Sequence, residues 1–352
     1  MKVIIDPRSD VLYSSFYING LTDLFGEKNM VFSVRPFREL PMSRKFGYPN
    51  LNFVIRRAGE KDRNFTVQVN DTWKLNHDLY CWCDVYGHVN ANFKETPKEQ
   101  YPKLISLAPS FGIRCWSATK TVTSSLLNFF KTQDIDYLFN TSLSRAVRKH
   151  FGVYKRLLQR CELSDYQSKI SSATNYVFHL STLWYSDQWN RNDEGMNRAR
   201  ARFIRACKSV RMVNFDGGFV ADDRSSTQEF MDCLYKGHPA GIPLSTWILK
   251  TKKSALAFNT PAFWNCHGWK LAEYLAMGKA ILSTTLLNDL PAPLIHGKHI
   301  HFVENDQQKM KEALEYILDH EEYRKKLEQG ASEWWEQYGT PVRSLELLGI
   351  RN

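Results

Sequence analysis

The stretch that decides the fold runs from Asn259 to Ser283 and reads NTPAFWNCHGWKLAEYLAMGKAILS. Gly268 opens a segment in which Leu271 and Leu275 are four residues apart. That spacing puts both leucines on one face of a helix. The apolar run 280–283 that follows predicts a strand. A polar loop, a helix and a strand in this order are typical of a β/α unit in a parallel sheet.

The first turn of this helix carries groups suited to a phosphorylated ligand. A helix that begins at Gly268 presents backbone N–H groups and the positive end of its dipole, which together bind anions. Lys270 and Glu273 lie three residues apart and away from the leucine face, so we predict that a cation and a carboxylate point to the ligand. A lysine suits phosphate, and a carboxylate suits the two adjacent hydroxyls of a ribose. A solvated helix end without a ligand is the alternative.

Along the rest of the chain, short β-like runs alternate with longer helical patterns. This alternation predicts an α/β fold with parallel, doubly wound sheets covered by helices. The length of 352 residues favours two domains. We predict a first domain at 1–165, a second at 166–330, and a C-terminal helix at 331–352 that packs back on the first domain.

The two predicted blocks contain the following elements. In the first block the predicted strands are 2–6, 31–34, 52–56, 65–69, 80–84 and 103–107, and the helices are 15–25, 121–131 and 142–160. In the second block the strands are 175–183, 211–215, 254–258 and 280–283, and the helices are 195–208, 245–252 and 268–277. Ligands of such sheets gather at the carboxyl ends of the strands, so the loops there are candidate site loops.

The stretch from Asn265 to Ser283 resembles the donor-domain signature of nucleotide-sugar glycosyltransferases of the GT-B architecture. That signature has two glutamates eight positions apart, with a glycine three residues after the first and a small-residue turn and an apolar strand after the second. Gly268, Glu273 and the turn 276–279 match in order and spacing. Asn265 departs from the pattern, because it stands where the first glutamate would be. The departure puts the usual sugar contact and any retaining stereochemistry in doubt.

The resemblance implies two facing Rossmann-like domains, with the acceptor bound to the first and a nucleotide-diphosphate sugar bound to the second. It implies that Glu273 holds the ribose, that Gly268 and Lys270 stabilise the departing diphosphate, and that Asn265 and His267 face the sugar. The nucleotide-sugar is then a substrate, so no cofactor is expected. The implied activity is a hexosyltransferase-like transfer to a hydroxyl of a glycan or glycolipid.

Gly217 and Gly218 form a second candidate donor element. They follow Asp216 after the predicted strand 211–215, and such glycines permit close approach of a ligand to the backbone. The motif resembles the backbone loops of the same donor domains. A tight turn explains the pair equally well.

For an inverting reaction one carboxylate or histidine must deprotonate the acceptor hydroxyl. The candidates in the predicted strand-end loops of the first block are Asp71, Asp84 and His88. Each has a purely structural alternative as a turn or surface residue. For a retaining reaction the protein supplies mainly alignment and a clamp on the diphosphate.

The chain is basic, with 47 Lys and Arg against 37 Asp and Glu, a formal charge of +10. Such a surplus predicts an anionic partner, and the basic stretch 191–211 fits a phosphorylated substrate, an anionic membrane surface or simply a solvated helix. No nucleic-acid motif is present, so no nucleic-acid partner is predicted. With no long apolar run, we predict a cytoplasmic protein, peripheral at the inner membrane face, that serves polysaccharide or lipopolysaccharide assembly.

Metal chemistry is not predicted. The triplet Asp134-Ile135-Asp136 has the letters of a metal-binding transferase motif, but it follows a helical pattern rather than a strand. The seven cysteines are scattered and predict reduced, mostly buried thiols.

Two other functions fit the same residues. A protein that kept the fold but lost turnover would bind the nucleotide without consuming it, and Asn265 favours this alternative. A nucleotide-sugar epimerase would convert the donor without an acceptor.

Overall fold

The computed structural model describes residues 1–40, 49–132, 143–184, 193–221, 228–238 and 241–351. The chain divides into two compact units. Unit 1 comprises Met1–Leu163, Asp289–Pro291 and Tyr338–Asn352, and unit 2 comprises Ser164–Asn288 and Ala292–Gln337. The predicted triplet at 134–136 lies outside the described residues. Within the described ranges, no helix is long and apolar enough to cross a membrane.

Unit 1 is an α/β unit built on one six-stranded sheet. Its strands are β1 (Lys2–Ile5), β2 (Met30–Phe32), β3 (Asn50–Arg56), β4 (Arg63–Gln68), β5 (Val85–His88) and β6 (Leu104–Ser106). Its helices are α1 (Val11–Phe25), α2 (His77–Trp82), α3 (Ala118–Thr132), α4 (Leu143–Leu158) and, near the C-terminus, α11 (Pro341–Leu347).

The strand order in this sheet is β2-β1-β3-β4-β5-β6. β3 runs antiparallel to both β1 and β4, and the other neighbours are parallel. The sheet is therefore mixed rather than wholly parallel, because β3 and β4 are joined by a short hairpin connection that permits only antiparallel pairing. α1 packs on α11, and Gly20 makes this possible, since a Cβ there would lie 2.7 Å from the carbonyl carbon of Pro341.

The predicted strand at 80–84 is wrong, because this segment belongs to α2 and the turn after it. Asn76 caps the helix by accepting a hydrogen bond from the backbone N of Leu79 at 3.1 Å. The strand begins only at Val85, in a segment for which a loop is predicted. The run Tyr-Cys-Trp-Cys has no clear period, so its apolar character indicates burial without deciding between helix and strand.

Unit 2 is a second α/β unit. Its strands are β7 (Tyr176–Thr182), β8 (Asn214–Val220), β9 (Ala257–Asn259), β10 (Ile281–Ser283) and β11 (His301–Phe302). Its helices are α5 (Leu163–Gln167, which begins at the last residue of unit 1), α6 (Asp193–Ser209), α7 (Leu244–Lys253), α8 (Gly268–Ala276), α9 (Gln307–Asp319) and α10 (Glu321–Trp334).

All strand pairs in unit 2 are parallel: β7 with β8, β9 with β10, and β10 with β11. β7 lies beside β9, and just before β9 the backbone N of Ala255 donates to the carbonyl oxygen of Tyr176 at 2.7 Å. Hydrogen bonds join β7 and β8 in one sheet and β9, β10 and β11 in another. The contact of β7 with β9 gives the spatial order β8-β7-β9-β10-β11, the doubly wound arrangement predicted from the sequence. The direction of winding reverses between β7 and β9, and ligands of such sheets bind outside the carboxyl ends of the strands at this point.

Candidate functional site

The loop between β9 and α8 lies at this reversal point and has an unusual backbone. Trp264 and Asn265 both adopt positive φ angles, 48° and 64°. Such angles cost a residue other than glycine about 1–3 kcal/mol, and they cluster at functional sites. The turn is held by the backbone N of Ala262, which donates to the carbonyl oxygen of Cys266 at 2.8 Å. The side chains of Trp264 and Asn265 are exposed, so the strained turn presents both to solvent.

α8 begins at Gly268, whose φ is 68°, with no capping hydrogen bond from the side chain of His267. The predicted helix start is therefore correct. His267 itself is buried, with 1 % of its surface exposed, so the structure does not present its ring at the surface of the loop as its predicted contact with a sugar would require. The carbonyl of Asn265 accepts a hydrogen bond from Asn288 Nδ2 at 3.1 Å, which helps to fix the loop before the helix.

Lys270 points to the carboxyl end of β7. Its Nζ donates a hydrogen bond to the carbonyl oxygen of Leu180 and lies 5.8 Å from the centre of the Trp247 ring. Burial and then the charge of Arg200 lower the pKa of this ammonium to about 7, and the charge of Glu273 opposes the shift. At neutral pH Lys270 is therefore balanced between its charged and neutral forms.

Glu273 is buried one turn further along α8. The hydroxyl of Tyr166 donates to its Oε1 at 3.4 Å. Its charge acts on both Lys270 and Tyr274. The sequence predicts that Lys270 and Glu273 act together, and the structure places their charges within range of each other, but both lie deeper than a solvated helix end.

Arg200 completes this cluster, and sequence reasoning missed its role. It lies on α6 within the basic stretch, but it is buried, and its Nη1 donates to the carbonyl oxygen of Thr182 at 3.4 Å. Burial lowers the pKa of Arg200 to about 10. Neighbouring Arg198 and Arg205 instead form exposed ion pairs with acids of the same unit. One feature of the sequence could have indicated this burial. Arg200 precedes the apolar residues Phe203 and Ile204 by three and four positions, so the three share one face of the helix, and that face is buried.

His179 lies in the middle of β7, close enough to Lys270 and Arg200 for their charges to act on it. Its Nε2 is 3.2 Å from Ser181 Oγ, and the ring is buried against Phe203. Burial, followed by the charges of Lys270 and Arg200, holds the pKa of His179 well below its usual range. The histidine is therefore neutral at physiological pH. Among the described residues, the charges that interact here are two cations and one carboxylate.

Gly217 and Gly218 lie inside β8 rather than in a loop after a strand, so the predicted strand 211–215 begins and ends too early. Their φ angles are 129° and 139°. A Cβ on Gly217 would lie 1.9 Å from the carbonyl oxygen of His179, and one on Gly218 would lie 2.6 Å from that of Cys233. Close approach of neighbouring backbone, without any ligand, explains both glycines.

We expect the substitution Gly217→Ala to destabilise the protein by about 3 kcal/mol, because the added methyl collides with backbone and φ is unfavourable. Thermal unfolding measures this loss. Gly195→Ala is the matched control, since Gly195 lies in α6 with nothing near its missing Cβ, and alanine there is expected to be neutral or stabilising. Equal midpoints for the two variants would contradict the packing described for β7 and β8.

In unit 1 the structure separates the three candidate bases. His88 ends β5, and its buried Nδ1 accepts a hydrogen bond from the backbone N of Asn90 at 2.9 Å. Asp71 is exposed and follows β4, so it lies at the same sheet edge as His88. Asp84 precedes β5 and therefore lies at the opposite edge, about 13 Å from His88 along the strand. Its Oδ2 accepts a hydrogen bond from the backbone N of Asn64 at 2.7 Å, which is a structural role.

Among the residues that the structure describes, no group of three or more His, Cys, Asp or Glu side chains is arranged to hold a metal ion.

Comparisons with known proteins return structural similarities alone. No family model matches the sequence, and no curated protein does. The C-terminal domain of a glycosyl transferase group 1 family protein from Francisella tularensis is 14% identical, with a TM-score of 0.34 over 50% of this chain and 91% of that chain. A glycosyltransferase from Rickettsia africae is 10% identical, with a TM-score of 0.40 over 74% of this chain and 61% of that chain.

A putative UDP-N-acetylglucosamine 2-epimerase from Listeria monocytogenes is 14% identical, with a TM-score of 0.35 over 75% of this chain and 66% of that chain. The chain thus spans about two thirds or less of the length of two of these three structures. Two of the three structures are named as glycosyltransferases and the third as a putative epimerase. At these TM-scores the likeness is coarse and indicates no function.

Proposed function

We propose that this protein is a glycosyltransferase that moves a sugar from a nucleotide-diphosphate sugar to a hydroxyl acceptor. The observation that carries the proposal is the cluster at the carboxyl end of β7, where the half-buried Lys270 lies with the buried Arg200 and Glu273. Burying two cations with one carboxylate is costly, because each charge loses its hydration. A diphosphate at this point would supply the anionic charge that the cluster lacks.

The N-terminus of α8 is a further group that favours binding of a diphosphate. Its backbone N–H groups begin at Gly268, beside the strained loop that follows β9, at the reversal point where ligands of doubly wound sheets bind. We assign the diphosphate to this helix start and to Lys270 and Arg200. These groups stabilise the negative charge that develops on the leaving diphosphate, so the proposed transfer is metal-independent.

Glu273 is assigned to the ribose hydroxyls and Asn265 to the sugar. Glu273 is one turn away from the diphosphate groups of α8, and its carboxylate is already oriented by the hydroxyl of Tyr166. Asn265 is exposed on the strained turn, and its amide can donate to and accept from sugar hydroxyls. An amide cannot carry the charge of the glutamate that the family pattern has at this position.

For the acceptor we assign the base to Asp71. Asp71 and Asp84 are both exposed, but Asp71 lies at the carboxyl ends of the strands, where ligands of such sheets bind. The carboxylate of Asp84 lies at the opposite edge and accepts a hydrogen bond from the backbone N of Asn64. We further propose an acceptor of the glycan or lipid-linked class at the inner membrane face, as in polysaccharide or lipopolysaccharide assembly. The net charge of +10 supports this, since such acceptors lie at anionic surfaces.

The substitution Asp71→Asn is expected to lower kcat about a hundredfold or more with little change in donor binding, because loss of a general base affects proton transfer alone. Asp84→Asn is the matched control, and its kcat is expected to stay within about twofold of the unsubstituted protein, since Asp84 lies at the other sheet edge. Initial rates with a saturating nucleotide-sugar measure both. Equal loss in the two variants would contradict the assignment of Asp71.

The experiment that tests the function follows the donor by chromatography, with and without an acceptor mixture extracted from membranes. A transferase releases nucleoside diphosphate much faster with acceptor. An epimerase changes the sugar without acceptor and releases no diphosphate. A protein that has lost turnover binds the donor and leaves it intact, and either of these last two results would overturn the proposal.

A further inference from the structure

Helix α3 is amphipathic, but its polar face is buried and its apolar face is exposed, the reverse of the usual arrangement for a helix on a protein core. Its buried positions are polar, namely Thr121, Ser125, Asn128 and Thr132. Its exposed positions include large apolar side chains that are 46 to 72 % accessible, namely Val122, Leu126, Leu127 and Phe130. Val122, Leu126 and Phe130 follow one another at four-residue spacing, so they form one stripe along the helix. We refer to these four exposed side chains as the α3 stripe.

The inward polar face shows that this orientation is specific. Asn128 Nδ2 donates to the hydroxyl of Tyr154 on α4 at 2.9 Å. The carbonyl oxygen of Ser125 lies 2.9 Å from Nε2 of the buried His150, also on α4. Turning the helix to bury the α3 stripe would break these bonds and leave polar groups unsatisfied. The fold therefore keeps the apolar side chains at the surface, where a contiguous apolar patch marks an interaction site.

The charge around the α3 stripe identifies its partner. α3 and the adjacent α4 contain seven Lys and Arg residues and no Asp or Glu. Lys120 forms an ion pair with Glu27. The other six are Lys131, Arg145, Arg148, Lys149, Lys155 and Arg156. A second copy of this chain would bring two such basic surfaces together, which like-charge repulsion opposes. An anionic bilayer instead accepts both features, since apolar side chains enter the headgroup region while lysines and arginines pair with lipid phosphates.

We propose that the α3 stripe inserts into an anionic membrane surface and anchors unit 1 there. The inference deepens the proposed function by naming the element that would bring a transferase to lipid-linked acceptors. Membrane binding through this helix does not require the donor site, so the two proposals can fail independently.

The test is flotation of the full chain with vesicles of phosphatidylcholine alone or with about 30 mol % phosphatidylglycerol, in the absence of nucleotide. We expect binding to the anionic vesicles only. The double substitution Leu126→Gln and Phe130→Gln should weaken it about tenfold or more, because both side chains lose their apolar burial in the bilayer. Met231→Gln is the matched control, since Met231 is 68 % exposed in unit 2 and should leave vesicle binding unchanged.

Because all three side chains are exposed, none of these substitutions should lower the thermal midpoint appreciably, and nucleotide binding measured alongside should stay unchanged. Anionic vesicles that bind the double variant as well as the unsubstituted protein would overturn the proposal, as would no vesicle binding at all. Light scattering that shows a dimer, lost in the double variant, would also overturn it, because the stripe would then be an interface between copies.

Discussion

Replacing Lys270 with methionine is expected to weaken binding of the nucleotide-sugar by about tenfold to a hundredfold at pH 6 and to abolish the pH dependence of that binding. The variant loses one hydrogen bond between charged partners, which contributes about 1.5–3 kcal/mol to the free energy of binding. Methionine keeps most of the length of the side chain without its charge, so the helix itself should be little disturbed.

The pH dependence follows from the lowered pKa of Lys270. Burial and the charge of Arg200 bring this pKa to about 7 in the free protein, and a bound diphosphate raises it by supplying an opposite charge. Below pH 7 the lysine is already charged and binding needs no proton. Above pH 7 the site must first take up a proton, so affinity should fall about tenfold between pH 6 and pH 8.

Isothermal titration at the two pH values measures both effects. A nucleotide-sugar is the correct probe, because its diphosphate diester does not itself titrate in this range, unlike the terminal phosphate of a free nucleoside diphosphate. Equal affinity at pH 6 and pH 8 in the unsubstituted protein would contradict the placement of the diphosphate at Lys270. So would a pH dependence that persists in Lys270→Met.

Replacing Glu273 with glutamine is expected to have two separable effects. The first is a loss of stability, because the buried Arg200 and the half-buried Lys270 keep their positive charges while a neighbouring carboxylate loses its negative charge. Removing one member of a buried charge cluster costs about 3–5 kcal/mol. The thermal midpoint should therefore fall by roughly 6–12 °C or more for a unit of this size.

The second effect is on ligand choice. The glutamine variant keeps both cations, so inorganic diphosphate should still stabilise it, and at least as well as it stabilises the unsubstituted protein. A nucleoside diphosphate should lose its advantage over inorganic diphosphate, because the ribose contact is gone. Midpoint shifts with the two ligands, each measured from the variant's own unliganded midpoint, separate this effect from the loss of stability.

If nucleoside diphosphate keeps its full advantage in Glu273→Gln, the assignment of Glu273 to the ribose is wrong. Glu336→Gln is the matched contrast, because it removes the same charge at an exposed position of unit 2 and should alter neither midpoint nor ligand preference appreciably.

The elements that the sequence predicts best are those whose ends and faces are marked by residues close together in the sequence. The glycine at 268 and the leucines spaced by four residues define α8, and the structure starts the helix at that glycine. These features are local, so they can be read from the sequence without knowing which elements meet.

The features that the sequence does not reveal depend on tertiary contacts. Gly217 reads as a turn residue, but it lies in a strand because the carbonyl oxygen of His179 leaves no room for a side chain. Arg200 is one of many basic residues in its stretch and would be expected to be solvated, but it is buried close to Lys270. The sequence predicts a helix at 121–131 but not which of its faces is buried, and the structure shows that its polar positions face α4 and bond to it.

The most direct test of the central claim is a thermal-shift measurement on the unsubstituted protein with uridine, guanosine, cytidine and thymidine diphosphates, their sugars, and inorganic diphosphate. We predict that one nucleoside diphosphate and its sugar raise the midpoint strongly and that inorganic diphosphate raises it less, because it fills the cationic cluster of Lys270 and Arg200 without the ribose contact. If none of these ligands raises the midpoint, the cluster at the carboxyl end of β7 is not a donor site and the proposed transferase activity is contradicted.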